Sequence, residues 1–258
     1  MTSVAPARSP EQPPTRRARL RAATLEEITR TARQLLVEHG PGAVTLRAIA
    51  REMGLTAPAL YRYFPGLDEL VGTLCAALYD ELREELERVR DAADPADAQG
   101  RLLAACRGFR TWSIAHPSEF GLMFGRPVPG FGAPGDPADP QHEASAPHQA
   151  GMRFAGLFMA LFAEVWFGAP FEVPAAEEMD PLLREQLAAF LAVLQAPLPV
   201  GAAQLFLSCW IRLYGMVALE AYGHLHFALA EVEPMFEAEL AAMGRELGLE
   251  PRPLAQAG

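Results

Sequence analysis

Apolar residues recur at helical spacing along most of the chain, and no stretch shows the alternation typical of β-strands. Thr24 and Glu27 form a T-x-x-E capping box, which predicts that the first helix begins there and ends at Gly40. Its apolar face contains Ile28, Ala32, Leu35 and Leu36. Later stripes predict further helices over about 67–89, 98–115, 151–169, 175–196, 200–222 and 234–248. The pattern therefore predicts an all-α fold.

Two short helices joined by a tight turn are predicted between Val44 and Leu70. Thr45 is placed to cap the first helix and Gly54 to end it. Thr56 is placed to cap the second helix, whose first turn tolerates Pro58. Burial of Leu60 and Phe64 would leave a face made of Thr56, Ala57, Pro58, Ala59, Tyr61, Arg62 and Tyr63. Such a face suits a DNA major groove, although short glycine-linked helices also occur as plain core packing.

The run GPGAVTLRAIAREMGLTAPALYRYFPGLDEL resembles the DNA-binding motif of the tetracycline-repressor (TetR/AcrR) family of bacterial transcription regulators. The shared positions are Gly40, Thr45, Ile49, Ala50, Gly54, Leu60, Tyr61 and Phe64. One position departs from the family, because Leu67 stands where a lysine is usual at the start of the next helix. The phosphate contact that the resemblance implies there is therefore absent or supplied elsewhere.

The penultimate predicted helix resembles a second signature, found in one type of C-terminal domain of the same family. Its shared positions are Trp210, Gly215, Leu219, Glu220 and Gly223, with Tyr214 in place of a usual histidine. The resemblance implies a homodimer built on the last two helices, and an inducer that tilts the long 67–89 helix and separates two DNA-binding heads. By linkage, such an inducer binds the DNA-free arrangement more tightly.

The predicted domains are a basic disordered arm at 1–20, a three-helix helix-turn-helix domain at 21–66, and a helical regulatory and dimerisation bundle at 67–250. The Pro- and Gly-rich stretch 127–149 is predicted to be a flexible loop and a candidate entry gate for a ligand. The apolar stripe of Phe236, Leu240, Met243 and Leu247 predicts a dimer interface, with intramolecular packing as the alternative.

The distribution of charge along the chain bears on whether DNA is a partner. The chain carries −10, which alone argues against a nucleic-acid partner. Residues 1–64, however, hold ten arginines against five glutamates, a net charge of +5, and the remainder carries −15. A basic head on an acidic body favours double-stranded DNA as the partner of the head.

Candidate chemistry adds little. Phosphate loops, a G-x-S-x-G elbow, H-E-x-x-H and C-x-x-C pairs are absent from the sequence, so we expect no enzyme and no cofactor. His224 and His226 lack partners at metal-ligand spacing and fit a helix terminus better than a metal site. The three cysteines suit a reduced core in a cytoplasmic protein, and no membrane span or export signal is expected.

The body is rich in aromatic and Met residues between 109 and 216. These side chains can line a cavity for a hydrophobic, ring-containing ligand, or they can fill a solid core. The candidate ligand residues are Phe109, Trp112, Phe124, Phe158, Phe162, Trp166, Trp210 and Tyr214. Glu164, Arg212 and Glu220 interrupt apolar helices and are expected in ion pairs, or as polar anchors for that ligand.

These expectations predict a homodimeric, ligand-responsive transcriptional repressor that binds a palindromic operator. In the DNA interface, Arg47 is expected at a guanine edge, Thr45 and Tyr61 at phosphates, and Pro58 at a thymine methyl. The alternative is a helical interaction or scaffold protein that keeps the helix-turn-helix only for packing.

Overall fold

A computed structural model of the protein describes residues 15–125 and 145–249. Throughout these two ranges the chain forms α-helices with short 3-10 and π-helical turns, and no strand occurs in them, which confirms the all-α prediction. The chain divides into two units, Met1–Leu70 and Val71–Gly258, and the boundary falls within a long helix.

The described part of the first unit, 15–70, contains three complete helices. They are α1 (Arg16–His39), α2 (Leu46–Glu52) and α3 (Ala57–Leu60), with a 3-10 turn at Pro41–Ala43 and the start of α4 (Leu67–Asp91). Ile28 of α1, Ile49 of α2 and Leu60 of α3 are fully buried. The apolar spacing seen in the sequence therefore builds the core of this unit, and Gly40 ends α1 as predicted.

The predicted start of the first helix is wrong. The helix begins at Arg16, where the Thr15 hydroxyl oxygen accepts a hydrogen bond from the Ala18 N–H. Thr24 lies inside the helix and donates its hydroxyl to the Leu20 carbonyl instead of capping a terminus. The sequence between them, RRARLRAA, consists of strong helix formers, so nothing in it stops the helix from extending backwards. Residues 15–20 of the predicted disordered arm are thus ordered, and 1–14 lie outside the described residues.

The second unit contains most of α4 and six further helices among its described residues. These are α5 (Ala98–Ala115), α6 (Pro117–Phe120), α7 (Ala146–Gly168), α8 (Pro181–Val193), α9 (Val200–Ala221) and α10 (Glu233–Glu246), with a π-helical turn at Gly121–Gly125 and a 3-10 turn at Ala176–Glu178. Helix α5 packs against both α7 and α9, and its Phe109 is fully buried.

Two helices in this unit begin at other residues than the sequence predicts. Helix α7 begins five residues earlier than expected, at Ala146, because the Ser145 hydroxyl caps it by accepting from the His148 N–H. Residues 146–149 of the predicted loop are therefore helical, and 127–144 lie outside the described residues. Helix α8 begins only at Pro181, because the Asp180 carboxylate accepts from two backbone N–H groups and defines a new N-terminus.

Within 15–125 and 145–249, two helices are long and apolar enough, by length and composition, to cross a membrane. They are α7 and α9, in which 44% and 33% of the most apolar stretch is buried within the structure. Core helices of globular proteins pass the same test, so this observation is weak support for a span. It does identify α9 as a helix that is both apolar and largely uncovered.

Candidate nucleic-acid interface and internal cavity

The turn between α2 and α3 is fixed by local chemistry. The Thr45 hydroxyl oxygen accepts the Ala48 N–H at 3.1 Å and caps α2, as predicted. Gly54 adopts φ +65°, a left-handed conformation that strains residues with a side chain, and the Leu55 N–H then donates to the Ala50 carbonyl at 2.8 Å. The left-handed Gly54 therefore follows the end of α2, and α3 starts three residues later, at Ala57.

The second helix is shorter than the sequence predicts. Helix α3 ends at Leu60 after four residues, and Tyr61, Arg62 and Tyr63 continue as turns. Beyond Leu60 the hydrogen bonds change to the tighter 3-10 type, as where the Tyr63 N–H donates to the Leu60 carbonyl. Pro65 disfavours the helical region for Phe64 and so keeps the helix from resuming there. The backbone of Thr56 is extended, as in an N-cap, but its hydroxyl makes no capping hydrogen bond.

The predicted DNA-binding residues lie on the surface of this unit or close to it. Thr45, Arg47, Thr56, Pro58, Tyr61 and Arg62 are exposed, and Ala57, Ala59 and Tyr63 are partly buried. Beneath them Leu60 and Phe64 are buried, as the pattern requires. Tyr61 keeps 55% of its surface exposed, so its ring and hydroxyl are accessible to a partner.

Two arginines of this surface are uncommitted. Arg47 and Arg62 have no carboxylate partner within the part of the chain that the structure describes, whereas the nearby Arg51 faces Glu52 at 3.7 Å. Leu67, which replaces the lysine expected from the family resemblance, is 36% exposed and supplies no charge. Cations for a polyanion must therefore come from arginines in this unit.

One contact at this surface was not expected from the sequence. The guanidinium carbon of Arg21, in α1, lies 5.3 Å from the centre of the Tyr63 ring. This cation–π contact attaches the N-terminal part of α1 to the end of the helix-turn-helix. The sequence pattern could have suggested this contact only if the predicted α1 had begun before Thr24, so that it included Arg21.

A cavity of about 60 Å³ lies inside the second unit. It is bordered by side chains of α5, α7, α9 and α10 and by Leu249, and the border contains no charged residue: Leu102, Leu103, Cys106, Phe158, Phe162, Phe206, Cys209, Trp210, Leu213, Leu240, Met243, Gly244, Leu247 and Leu249. Of the eight candidate ligand residues, Phe158, Phe162 and Trp210 line it. The other five lie outside this lining.

Those five residues are engaged in packing. Phe109 contacts the rings of Phe120, Phe124 and Phe154 with centroid distances near 6 Å. The Tyr214 hydroxyl donates to the Phe124 carbonyl at 2.9 Å. In a separate place, Trp112 donates its indole N–H to Glu81, and Trp166 packs edge-on against Phe171 at 4.9 Å. Phe158 and Trp210 contact the Phe109 ring as well as the cavity, so the filled aromatic cluster forms one side of the cavity wall.

Other lining residues were not predicted to border a cavity, because the apolar stripe that contains them was predicted to form a dimer interface. Leu240 and Met243 of α10 and Leu247, directly after it, line the cavity, and with Phe236 they are all less than 7% exposed. The expectation that one core cannot absorb this stripe is therefore wrong, and the intramolecular alternative is correct. A stripe at i, i+4, i+7 and i+11 is the ordinary mark of a helix facing a core, and it gives no preference for a second chain.

The charges within the apolar helices are paired. Arg110 forms two hydrogen bonds to the Glu220 carboxylate, at 2.6 and 2.7 Å, and Arg101 binds Glu164 at 2.5 Å. Arg212 binds two glutamates of α10, Glu239 and Glu246. The predicted ion pairs are thus confirmed, and each joins two helices.

The remaining candidate groups have structural settings. Burial raises the pKa of Cys106 to about 12 and that of Cys209 to about 11, so both thiols are protonated at neutral pH. His224 and His226 follow the end of α9, a helix terminus as predicted. No group of three or more His, Cys, Asp or Glu side chains suited to a metal ion occurs in 15–125 and 145–249.

Two family profiles match the chain. The profile described as "Tetracyclin repressor-like, C-terminal domain" matches residues 102–243, more than half of the 258 residues. The profile described as "Bacterial regulatory proteins, tetR family" matches residues 28–74. The two matches cover the helix-turn-helix and most of the second unit.

Curated relatives match over a shorter stretch. HTH-type transcriptional regulators of Mycobacterium tuberculosis and Mycobacterium bovis are 36% identical over 110 residues, which is 43% of this chain and 47% of theirs. The chain therefore spans about half the length of the curated relatives that it matches.

Solved structures share the fold over most of the chain. The regulatory protein SCO4313 has a TM-score of 0.64 at 29% identity, over 89% of this chain and 98% of that one. A protein of unknown function from Rhodococcus sp. RHA1 has a TM-score of 0.59 at 23% identity, over 87% and 94%. A TetR/AcrR-family regulator from Thermobifida fusca has a TM-score of 0.53 at 16% identity, over 90% and 100%. The latter two, under 25% identical, are similar in fold alone.

Proposed function

We propose that this chain, which belongs to the tetracycline-repressor family of transcriptional regulators, is a repressor that binds palindromic operator DNA as a homodimer and is released by a hydrophobic small molecule. As a member of a family of regulators it is not an enzyme. We place it in the cytoplasm, where the DNA of a bacterium lies. The observation that carries the proposal is the exposed, uncommitted basic surface on the capped α2–turn–α3 unit.

DNA binding is assigned to the first unit. Helix α3 would enter the major groove, with Arg47 donating to a guanine edge and Pro58 in apolar contact with a thymine methyl. Tyr61 and Thr45 would donate their hydroxyls to phosphates. Thr45 can do both jobs, because its oxygen accepts the Ala48 N–H while its hydroxyl proton stays free to donate. Thr56, Ala57, Ala59, Arg62 and Tyr63 complete the proposed interface.

Dimerisation is assigned to the outer face of α9. Ile211 is 67% exposed and Leu219 is 43% exposed, and they share one helix face with Gly215, at which an added Cβ would meet no atom within 4 Å. An apolar helix with only a third of its most apolar stretch buried needs a cover. A second copy, packed by two-fold symmetry, would supply it and would pair two heads for a palindrome with half-sites about one helical turn apart or somewhat more.

The effector is assigned to the cavity bordered by α10. A lining without charged groups favours an uncharged, lipophilic molecule, because a buried charge would find no partner there. A volume of about 60 Å³ is small beside the roughly 150 Å³ of an engineered apolar cavity that binds benzene, so a ring-containing effector would enlarge this cavity as it binds. Release of DNA then follows if the enlarged form binds operator less well.

The proposal is tested on the DNA that flanks the gene for this chain. Purified protein should protect a palindromic site there, and a lipophilic compound that raises its melting temperature should weaken that protection. As a matched pair, Cys209→Leu, which fills the cavity, should reduce binding of that compound, whereas Ser208→Ala, on the exposed neighbouring position, should not. Failure to bind any flanking DNA would contradict the proposal.

A further inference from the structure

The N-terminal half of α1 projects beyond the core of its unit. The first buried residue of α1 is Ile28, so the helix from Arg16 to Glu27 covers no core of its own. Isolated helical turns are marginal in water, and these turns lack an apolar face to hold them. Their sequence is instead rich in arginine, at positions 16, 17, 19 and 21. This segment, the α1 extension, has a composition suited to an anionic partner.

The arginines of the α1 extension are not equivalent. Arg17 and Arg21 are four residues apart, and Ile28 follows Arg21 by seven, so all three lie on one helix face. That face is buried from Ile28 onward and faces the helix-turn-helix core. Arg19 lies on the opposite side, on the same face as Glu26 seven residues later. The helix therefore directs Arg17 and Arg21 toward the helix-turn-helix side and Arg19 away from it.

The position of Arg21 confirms this orientation. Its guanidinium lies over the Tyr63 ring at 5.3 Å, directly after the exposed residues Tyr61 and Arg62. Stacking uses the flat face of the guanidinium and leaves its N–H edges free to donate. Arg17 lies one helical turn farther out, about 6 Å along the axis. Both cations thus flank the proposed DNA surface, and neither has a carboxylate partner among the residues that the structure describes.

We infer that the α1 extension is a second DNA-contacting element, in which Arg17 and Arg21 bind the phosphate backbone beside the groove that α3 enters. This inference rests on the proposed function and deepens it. Planar guanidinium groups suit phosphate, and the positive charge of residues 1–64 favours a polyanion over an acidic patch on a protein. Arg21 also keeps Tyr63 in place, and so joins the extension to the recognition surface.

The test uses the full chain and a mixed-sequence duplex of roughly 30 base pairs, about three helical turns, because phosphate contacts do not depend on sequence. Arg17→Gln and Arg19→Gln form a matched pair, since each removes one exposed arginine from neighbouring positions of the same helix. The slope of log affinity against log salt is negative, and a substitution that removes one arginine from a phosphate should make it less steep by about 0.9. Binding is measured by fluorescence anisotropy from about 50 to 200 mM salt.

We expect the slope to be less steep by about 0.9 in Arg17→Gln and in Arg21→Gln, and to change by less than half that amount in Arg19→Gln. Arg17→Lys should retain most of the slope, because an ammonium also binds phosphate. Circular dichroism should show the same helix content in all variants. Equal changes in Arg17→Gln and Arg19→Gln, or none in either, would overturn the inference while leaving the proposed function intact. A wild-type chain that binds no duplex would contradict both.

Discussion

The two units use the same cation for opposite purposes. In the second unit, Arg107, Arg110 and Arg212 each bind a carboxylate on another helix at 2.5–2.9 Å. In the first unit, Arg17 and Arg47 lie exposed, and the described residues offer them no carboxylate. An arginine whose N–H donors are bound by a carboxylate of the same chain holds helices together, whereas one whose N–H donors are free remains available to a binding partner. The total charge of the chain, −10, conceals this division.

The largest effect should come from placing a charge in the wall of the cavity. Leu240→Glu puts a carboxylate at a position that is 4% exposed and should unfold the second unit, with a loss of about 4 kcal/mol or more. Ile211→Glu, on the exposed face of α9, should instead leave the unfolding transition of the monomer intact and separate the dimer. Chemical denaturation and sedimentation measure the two outcomes. A folded monomer from Leu240→Glu would return the dimer interface to α10.

Loss of a shielded ion pair should come next. Arg110 and Glu220 keep only 12% and 11% of their side chains exposed, so Arg110→Gln leaves a carboxylate with little water to solvate it. The free energy of unfolding should fall by about 3 kcal/mol. Arg88→Gln is the matched control, because Arg88 pairs with Glu85 on the surface of one helix and its loss should leave the transition unchanged. Equal effects from the two would mean that helix-to-helix pairing is unimportant here.

The buried thiols should make the second unit sensitive to alkali. Because burial raises the pKa of Cys75 and Cys106 to about 12, they stay protonated in the folded chain while the unfolded chain loses those protons above its usual value of about 8.5. The contribution of these thiols to stability is therefore fully present below about pH 8 and declines as the pH rises toward 12, by about 1 kcal/mol per thiol at pH 9. Urea unfolding at pH 7 and 9 measures the decline, and Cys106→Ala should reduce it. A stability that stays level between these pH values would contradict this account.

The smallest effects on the stability of the fold should come from the first unit, where substitutions should instead change DNA binding. Arg47→Ala should weaken operator binding by about 1 to 3 kcal/mol and relax preference at one base pair. Tyr61→Phe should weaken all sequences alike, by about 1 kcal/mol. Melting temperatures should stay level, because both side chains are exposed. An unchanged ratio of operator to random-sequence affinity in Arg47→Ala would remove Arg47 from the base-reading set.

The helix-turn-helix was predictable because its signals are local. A capping threonine at Thr45, a glycine at Gly54 and a buried pair at Leu60 and Phe64 act within a few residues of one another, so the sequence alone contains the geometry. The start of α1 was predicted wrongly because its local signals are ambiguous. Two threonines, Thr15 and Thr24, can each cap a helix, and the helix-forming residues between them decide for the earlier one.

The second unit was predictable in class and unpredictable in detail. Periodicity identified its helices and the charges that needed partners, since Glu220 in an apolar helix requires a cation. It did not assign the partner, Arg110, which lies 110 residues earlier in the chain. It also did not show which of the aromatic residues around Phe109 border the cavity as well, because all of them are equally apolar.

By itself the sequence determined the helical class of this protein, the capped turn between α2 and α3, and the separation of a basic head from an acidic body. These properties depend on residue type and short spacing. Only the tertiary structure decided which arginines are paired, that α10 faces its own core, and that Arg21 reaches Tyr63. Each of these depends on how helices distant in sequence are brought together, and a pattern that repeats every 3.6 residues does not specify which neighbour a helix face will meet.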